Sequence, residues 1–102
     1  MQTMADIEDE IAEEFDLFDD QMEKYEYLID IGKKLPALDA AYMTDDFLVK
    51  GCQSKVWLHA YEKDGLIYYE ADSNTAITKG IIALLVRVLS GRKAADILGN
   101  PL

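Results

Sequence analysis

The stretch from Lys55 to Ala71, KVWLHAYEKDGLIYYEA, predicts a β-hairpin. Its first part alternates as a strand does, so that two sets of side chains face opposite sides: Val56, Leu58 and Ala60 on one, and Trp57, His59 and Tyr61 on the other. Lys63-Asp64-Gly65 has the composition of a tight hairpin turn. We therefore expect antiparallel strands at residues 55–61 and 66–71.

A long helix is expected directly after the hairpin. Asp72-Ser73-Asn74 can cap its first turn, and Ser90-Gly91 can end it, with Gly91 in the left-handed conformation. Its main apolar stripe contains Ile77, Ile81, Leu84, Leu85 and Val88. The other side carries Ile82, Val86 and Leu89, and a helix that is apolar nearly all round is typically buried. Residues 92–98 predict a short last helix.

Two helices are expected before the hairpin. The first has an apolar stripe of residues at helical spacing, namely Ile7, Ile11, Phe15 and Phe18. The second is capped by one of three acids, Asp16, Asp19 or Asp20. Its apolar face contains Met22, Tyr25, Leu28, Ile29 and Leu35, and Pro36 stops it. With a loop at residues 36–46 and a short strand at 47–49, the fold class is α+β: a small antiparallel sheet of about three strands packed against flanking helices.

The composition indicates one globular domain over residues 1–102. Half of the residues are hydrophobic, which is enough for a core without disulfides or metal. No stretch reaches the roughly 18 apolar residues of a membrane helix, and no basic segment followed by an apolar one marks a signal peptide. With a single cysteine, these features favour a reducing, cytoplasmic location and no membrane partner.

The charge of the chain is strongly negative, with a net value of −10. Nucleic-acid binding is therefore not expected, because contacts with phosphates need Lys and Arg. Residues 1–30 hold twelve of the twenty acids and one base, Lys24. This segment is either a solvated helix face or a docking surface for a basic partner, and the sequence does not separate the two.

Cys52 is the only cysteine, and it precedes the first strand of the hairpin. A lone thiol closes no internal disulfide, so Cys52 is either an inert buried side chain or a nucleophile. Gly51 before it permits a tight backbone turn. Lys50 and Lys55 place two cations near the thiol, which would lower its pKa and favour the thiolate. One Cys and one His, His59, on separate elements give too few ligands for a metal, so no metal site is expected.

Three segments resemble the SufE family of sulfur acceptors. The cysteine run Gly51-Cys52-Gln53-Ser54-x-Val56-Trp57 is similar to the signature of that family. The second predicted helix carries Tyr25-x-Tyr27-Leu28-Ile29-x-x-Gly32-x-x-Leu35-Pro36, and the segment after the hairpin carries Ala71-Asp72-Ser73-x-x-Ala76-Ile77-x-Lys79-Gly80-x-x-Ala83-Leu84-Leu85. The matches span residues 14 to 98 in the order of the family.

The resemblance implies a function for Cys52. It would take the terminal sulfur of a persulfide on a cysteine desulfurase, stimulate that enzyme, and pass the sulfur to an Fe–S scaffold. Gly51, Gln53, Ser54 and Lys55 match positions that shape or support the cysteine loop. The protein would need no cofactor of its own, because the PLP belongs to the partner desulfurase. Catalysis in the strict sense would then belong to that partner.

This chain departs from the family pattern at three places. Lys55 stands where many members carry Gln, and Asn74 stands where many carry a second acid. Lys50, Asp72 and Asn74 are expected to face the partner near the cysteine loop. Members also continue beyond the position that matches Leu102, so the chain is expected to be either a C-terminally truncated member or a short natural form. Exposed apolar residues on the long helix, expected at Ile82, Val86 and Leu89, would then favour a homodimer or lower stability.

Two other functions stay open from the sequence. The chain could be a paralogous carrier that feeds sulfur to another pathway, such as RNA sulfuration. It could also be a binding module whose cysteine is structural.

Overall fold

The hairpin forms as the turn chemistry predicts. A computed structural model describes residues 2–51 and 53–99 of the chain. Strand β1, Val56–Lys63, pairs antiparallel with strand β2, Leu66–Ser73. Asp64 and Gly65 form the two-residue loop with φ of 54° and 80°, the left-handed pair of values that matches the twist of the strands. Each strand runs two residues beyond its predicted end.

The third predicted strand is wrong. Among the described residues the sheet has two strands, and residues 47–49 contribute only an isolated bridge between Leu48 and Trp57. A 3₁₀ turn at Asp45–Phe47 precedes this bridge. Gly51, with a φ of 88°, turns the chain away after it. The segment is therefore too short between its two turns to extend along β1. The α+β class is confirmed.

Four helices flank the hairpin in the described part of the chain: α1 at Met4–Asp16, α2 at Gln21–Lys33, α3 at Ala76–Leu89 and α4 at Ala94–Gly99. A second 3₁₀ turn lies at Ala40–Tyr42. Asp20 caps α2 as expected, since its carboxylate accepts from the Met22 N–H at 3.0 Å. None of the described helices has the length and hydropathy needed to cross a membrane.

The predicted cap of α3 is wrong. Asp72 and Ser73 belong to β2, and Thr75 is the N-cap, without a capping bond from its side chain. The predicted end of α3 is confirmed, because Ser90 is the C-cap and Gly91 adopts the left-handed conformation with a φ of 76°. However, the Gly91 N–H donates to the Ile67 carbonyl of β2 at 2.7 Å. The same strand pairs with Arg92 through a bridge to Ile67, so the last helix begins later than expected.

Helix α3 is the central element and packs against α1, α2 and β2. The buried core contains Val56 and Ala71 of the hairpin and Ile82 of α3, with Leu35 and Val86 packed against them. Gly32 of α2 and Gly80 of α3 let those two helices cross in direct backbone contact. On α2, Met22 and Tyr25 are exposed rather than part of the buried face. The aromatic contact of α2 is made by Tyr27, which lies 5.1 Å from Phe15 and 5.0 Å from Phe18, between ring centroids.

The exposed face of α3 is only in part the predicted one. Ile77, Ile81 and Leu85 are exposed, Val86 and Leu89 are half-buried, and Ile82 is buried. Val88, in the predicted main stripe, is buried. The exposed residues Ile81 and Leu85 border an apolar groove of about 490 Å³ between α3 and the hairpin. The expectation placed this exposed face at Ile82, Val86 and Leu89, because a helix that is apolar all round does not reveal which side the sheet covers.

Neighbouring isoleucines of α3 provide a matched test of this orientation. Ile82→Ala is expected to lower the free energy of unfolding by about 2–5 kcal/mol, because it opens a cavity in the core. Ile81→Ala, at a position that is 47% exposed against 9% for Ile82, should cost less than about 1 kcal/mol. Urea denaturation of both variants measures the difference. Equal losses would contradict the orientation of α3.

A charged network joins α1 to α3. The Arg87 guanidinium donates to the two Glu14 carboxylate oxygens at 3.0 and 2.6 Å, and the Tyr27 hydroxyl donates to the same carboxylate at 2.5 Å. The hydrogen bonds from Arg87, and then from Tyr27, lower the pKa of Glu14 from its ordinary value of 4.5 to about 2. The ionised form of Glu14 is therefore favoured more strongly in the folded chain than in the unfolded one.

This network predicts a pH-dependent stability. Because the folded pKa of Glu14 lies below the unfolded one, its contribution is complete above about pH 5 and is lost as the pH falls from 4.5 towards 2. Glu14→Gln should lower the free energy of unfolding by about 1 kcal/mol at pH 7, a value that allows for solvent around this partly exposed pair. The difference from wild type should shrink at pH 3. Glu13→Gln, on the exposed side of α1, is the control and should change little at either pH.

Candidate functional site

The candidate site is the loop of residues 50–55, which we call the cysteine loop. Cys52 itself lies outside the described residues, so the site is built from the residues on either side of it. The base of the loop is closed where the Val49 N–H donates to the Val56 carbonyl at 2.8 Å. The bridge between Leu48 and Trp57 lies next to this bond. The loop therefore leaves and re-enters the fold at the start of β1.

The end of the loop that follows Cys52 is tied to the start of α3. Lys55 and Asn74 bond reciprocally: the Lys55 N–H donates to Asn74 Oδ1 at 3.0 Å, and the Asn74 N–H donates to the Lys55 carbonyl at 3.2 Å. The Ser73 hydroxyl also donates to that carbonyl, at 2.9 Å. One residue earlier, Ser54 Oγ accepts from the Thr75 hydroxyl at 3.0 Å and from the Thr78 hydroxyl at 3.3 Å.

The end of the loop that precedes Cys52 is attached differently. Within residues 2–51 and 53–99, the structure gives Lys50 and Gly51 no side-chain hydrogen bond or ion pair. Gly51 has a φ of 88°, and no neighbour other than its two chain neighbours lies within 4 Å of where a Cβ would stand. The positive φ favours glycine at this position. Among the contacts of the described residues, side-chain hydrogen bonds hold the end of the cysteine loop that follows Cys52.

The structure brings most of the sequence-predicted site residues together. Asn74 and Ser54 lie at the anchored end, as described, while Lys50, Gln53 and Lys55 are exposed. Asp72 is different, because its carboxylate pairs with the Lys79 ammonium at 3.2 Å and its side chain is only 13% exposed. This ion pair joins the end of β2 to the first turn of α3. The partner-binding roles of Lys50, Asp72 and Asn74 remain predictions.

Thr75 and Thr78 were not predicted from the sequence as site residues. Both hydroxyls lie on the first turn of α3 and bond to the loop. The sequence gives no signal for this role, because a hydroxyl residue at a helix start usually caps the helix itself. Only the structure shows that these two serve another segment.

His59 is held on the hairpin by contacts with its neighbours. Its ring stacks on Tyr42 with centroids 3.8 Å apart, and its Nδ1 lies 3.1 Å from Glu70 Oε1. Among the described residues, no group of three or more His, Cys, Asp or Glu side chains is placed to hold a metal ion.

The apolar groove adjoins the cysteine loop. Its lining includes Val49, whose N–H closes the base of the loop, and Thr78, whose hydroxyl bonds to Ser54. No charged residue is among the described residues that line it. The remainder of this lining is Val56, Leu58, Tyr69, Ala71, Ile81, Ile82, Leu85, Val86 and Leu89. The site thus combines a polar, anchored loop with an apolar surface beside it.

The chain matches known proteins over nearly its full length. The family model of the SufE Fe-S metabolism associated domain matches residues 9–102. SufE-like protein 1, chloroplastic/mitochondrial, of Arabidopsis thaliana is 42% identical over 90 residues, which cover 87% of this chain and 24% of that protein. An uncharacterized SufE-like protein of Rhizobium meliloti is 32% identical over 93 residues, covering 87% of this chain and 66% of that protein.

A third relative agrees with these two. An uncharacterized SufE-like protein of Synechocystis is 35% identical over 89 residues, covering 86% of this chain and 55% of that protein. The chain spans between a quarter and two thirds of the length of these relatives. The family model and the relatives agree with the family resemblance of the sequence, and the chain belongs to the SufE family.

Proposed function

We propose that this protein accepts sulfur at Cys52 from a cysteine desulfurase, stimulates that enzyme and passes the sulfur to Fe–S cluster assembly. The observation that supports this most is the position of Cys52, the only thiol of the chain. It stands in the family's cysteine run, within a loop that the fold closes at its base and anchors at one end. Membership of a family described by Fe–S metabolism supports the pathway.

The proposed chemistry is a thiol–persulfide exchange without net oxidation or reduction. The Cys52 thiolate attacks the terminal sulfur of a persulfide on the desulfurase, and a new sulfur–sulfur bond forms at Cys52. The sulfur–sulfur bond of the donor breaks, and the donor cysteine leaves as a thiolate. A later attack by an acceptor on the terminal sulfur regenerates the Cys52 thiolate.

The proposal assigns no cofactor or metal to this chain. The PLP belongs to the desulfurase, which generates the persulfide. A cytoplasmic location is also part of the proposal, since a free cysteine is kept reduced in that compartment. The plant relative is named for the chloroplast and the mitochondrion, so fractionation of cells with an antibody against this chain would test that location.

Mass spectrometry tests the acceptor function directly. The protein is incubated with a cysteine desulfurase, PLP and cysteine, and then analysed without reducing agent. We expect a mass increase of about 32 Da, one sulfur atom, on the peptide that contains Cys52. The increase should be absent when cysteine is omitted and should disappear on reduction. A protein that stays unmodified while the desulfurase turns over would support the alternative of a binding module with a structural cysteine.

A homodimer is a further part of the proposal. The described residues that line the apolar groove carry no charge, while the chain as a whole has a net charge of −10. A second copy could therefore cover this face without bringing acidic groups together. Light scattering over a concentration series should show an average mass that rises with concentration, and Ile81→Glu, in the exposed stripe, should abolish the rise. A constant monomer mass for the wild type would contradict self-association.

A further inference from the structure

Ser54 is the point at which three hydroxyl groups meet. Its Oγ accepts from Thr75 Oγ1 at 3.0 Å and from Thr78 Oγ1 at 3.3 Å. A serine oxygen has two acceptor lone pairs, so these two bonds fill its capacity to accept. We call Ser54, Thr75 and Thr78 the hydroxyl cluster. It joins a loop residue to the first turn of α3 across a sequence separation of 21 and 24 residues.

The two threonines contribute to this cluster rather than to their own helix. Thr75 is the N-cap residue of α3, and its side chain makes no capping bond. An N-cap hydroxyl ordinarily accepts from a backbone N–H of the first turn and stabilises the helix. The Thr75 hydroxyl instead donates to Ser54 Oγ at 3.0 Å, and the Thr75 N–H donates to the Ser73 hydroxyl at 3.4 Å. The start of α3 is therefore arranged around the loop.

The hydroxyl cluster lies close to Cys52 along the chain. Ser54 is two residues after Cys52, and the Lys55–Asn74 pair is one residue further away. On the other side, no described residue other than its chain neighbours lies within 4 Å of where a Cβ of Gly51 would stand. Of the contacts that the structure describes, the hydroxyl cluster is thus the side-chain attachment that lies nearest to Cys52 in the sequence.

We propose that the hydroxyl cluster is a positioning element for sulfur transfer. It attaches to α3 the part of the loop that follows Cys52, residues 53–55, which we call the limb. The proposal rests on the function proposed for Cys52. A limb that is held before the donor arrives loses less conformational freedom in the encounter, so more of the bound complexes have the thiol and the donor sulfur in a reactive arrangement. The cluster acts through the loop and touches no reacting atom in this account.

The test compares a hydroxyl-deleted variant with a hydroxyl-retaining one. Thr75→Val/Thr78→Val removes both donors and keeps the branched shape of the side chains. Thr75→Ser/Thr78→Ser keeps both hydroxyls and serves as the rescue. Thr44→Val controls for the loss of an exposed threonine whose side chain makes no capping bond. Ser54→Ala removes the acceptor and leaves α3 unchanged, in case the double valine variant folds poorly.

Two measurements are made on each variant. Hydrogen exchange at residues 53–55 of the protein alone should be about tenfold faster in the valine and alanine variants, because the anchoring bonds are lost. The rate of sulfur acceptance at saturating desulfurase should fall about tenfold, with the half-saturating concentration changed less than about twofold. The serine and Thr44→Val variants should match the wild type in both measurements.

The outcomes separate the inference from the proposed function. Unchanged exchange in the valine and alanine variants would show that the cluster does not hold the limb. Faster exchange with an unchanged or increased acceptance rate would show that the held limb does not position the thiol. Either result overturns the inference while leaving the acceptor function intact. A wild-type protein that takes no sulfur would overturn the proposed function, and the positioning role with it.

Discussion

Gly80→Ala is expected to destabilise the fold by about 3 kcal/mol, and by more if the helices cannot move apart. A Cβ at Gly80 would overlap the Leu28 carbonyl oxygen of α2 and would lie 2.8 Å from Leu28 Cγ. The obstacle is largely backbone, so a change of side-chain rotamer cannot remove it. Alanine favours a helix over glycine by about 1 kcal/mol, and the clash must exceed this gain for the prediction to hold.

Urea denaturation and thermal melting measure the effect of Gly80→Ala, with an expected fall in the melting temperature of roughly 10–20 °C. Gly99→Ala is the matched control, because Gly99 also lies in a helix and no described residue outside that helix lies within 4 Å of where its Cβ would stand. It should be neutral or slightly stabilising. Leu28→Ala in the Gly80→Ala background should not restore stability, since the carbonyl oxygen of residue 28 remains. Recovery in that double variant would place the clash on the side chain.

The glycine pair illustrates what the sequence does and does not predict. Gly32 and Gly80 lie in the two helical segments that resemble the family, but a sequence does not state that two glycines meet. The hairpin was predictable because alternation and the Asp64-Gly65 turn are local signals. The direction in which α3 presents its apolar residues was not, because both of its sides are apolar. Ile81 and Ile82 are neighbouring residues of the same type, yet they differ greatly in exposure.

In the candidate site, too, the local features were predictable from the sequence and the long-range contacts were not. Cys52 was predicted as its centre because it is the only thiol and stands in a recognisable run. The anchors of the loop come from residues about 20 positions away, at Asn74, Thr75 and Thr78. Asn74 was expected near the loop from the resemblance. The two threonines were not expected, because a hydroxyl at a helix start has a local use that explains it equally well.

Cys52→Ser is expected to abolish stimulation of the desulfurase by this protein. A serine oxygen cannot take part in exchange with a sulfur–sulfur bond as a thiolate does, and the chain has no second cysteine to replace it. The turnover of the desulfurase should fall to the rate that it shows alone, and the mass increase of about 32 Da should be lost. The substitution is close to isosteric, so the fold should be kept.

The controls for Cys52→Ser separate lost chemistry from lost binding or folding. Its urea midpoint should match the wild type, and it should still compete with the wild type for the desulfurase, since the residues around the loop are unchanged. Ser54→Ala keeps the thiol and is expected to slow acceptance without abolishing it. If Cys52→Ser still stimulates turnover in the absence of reducing agent, the protein activates the desulfurase through binding alone, and sulfur acceptance by Cys52 is wrong.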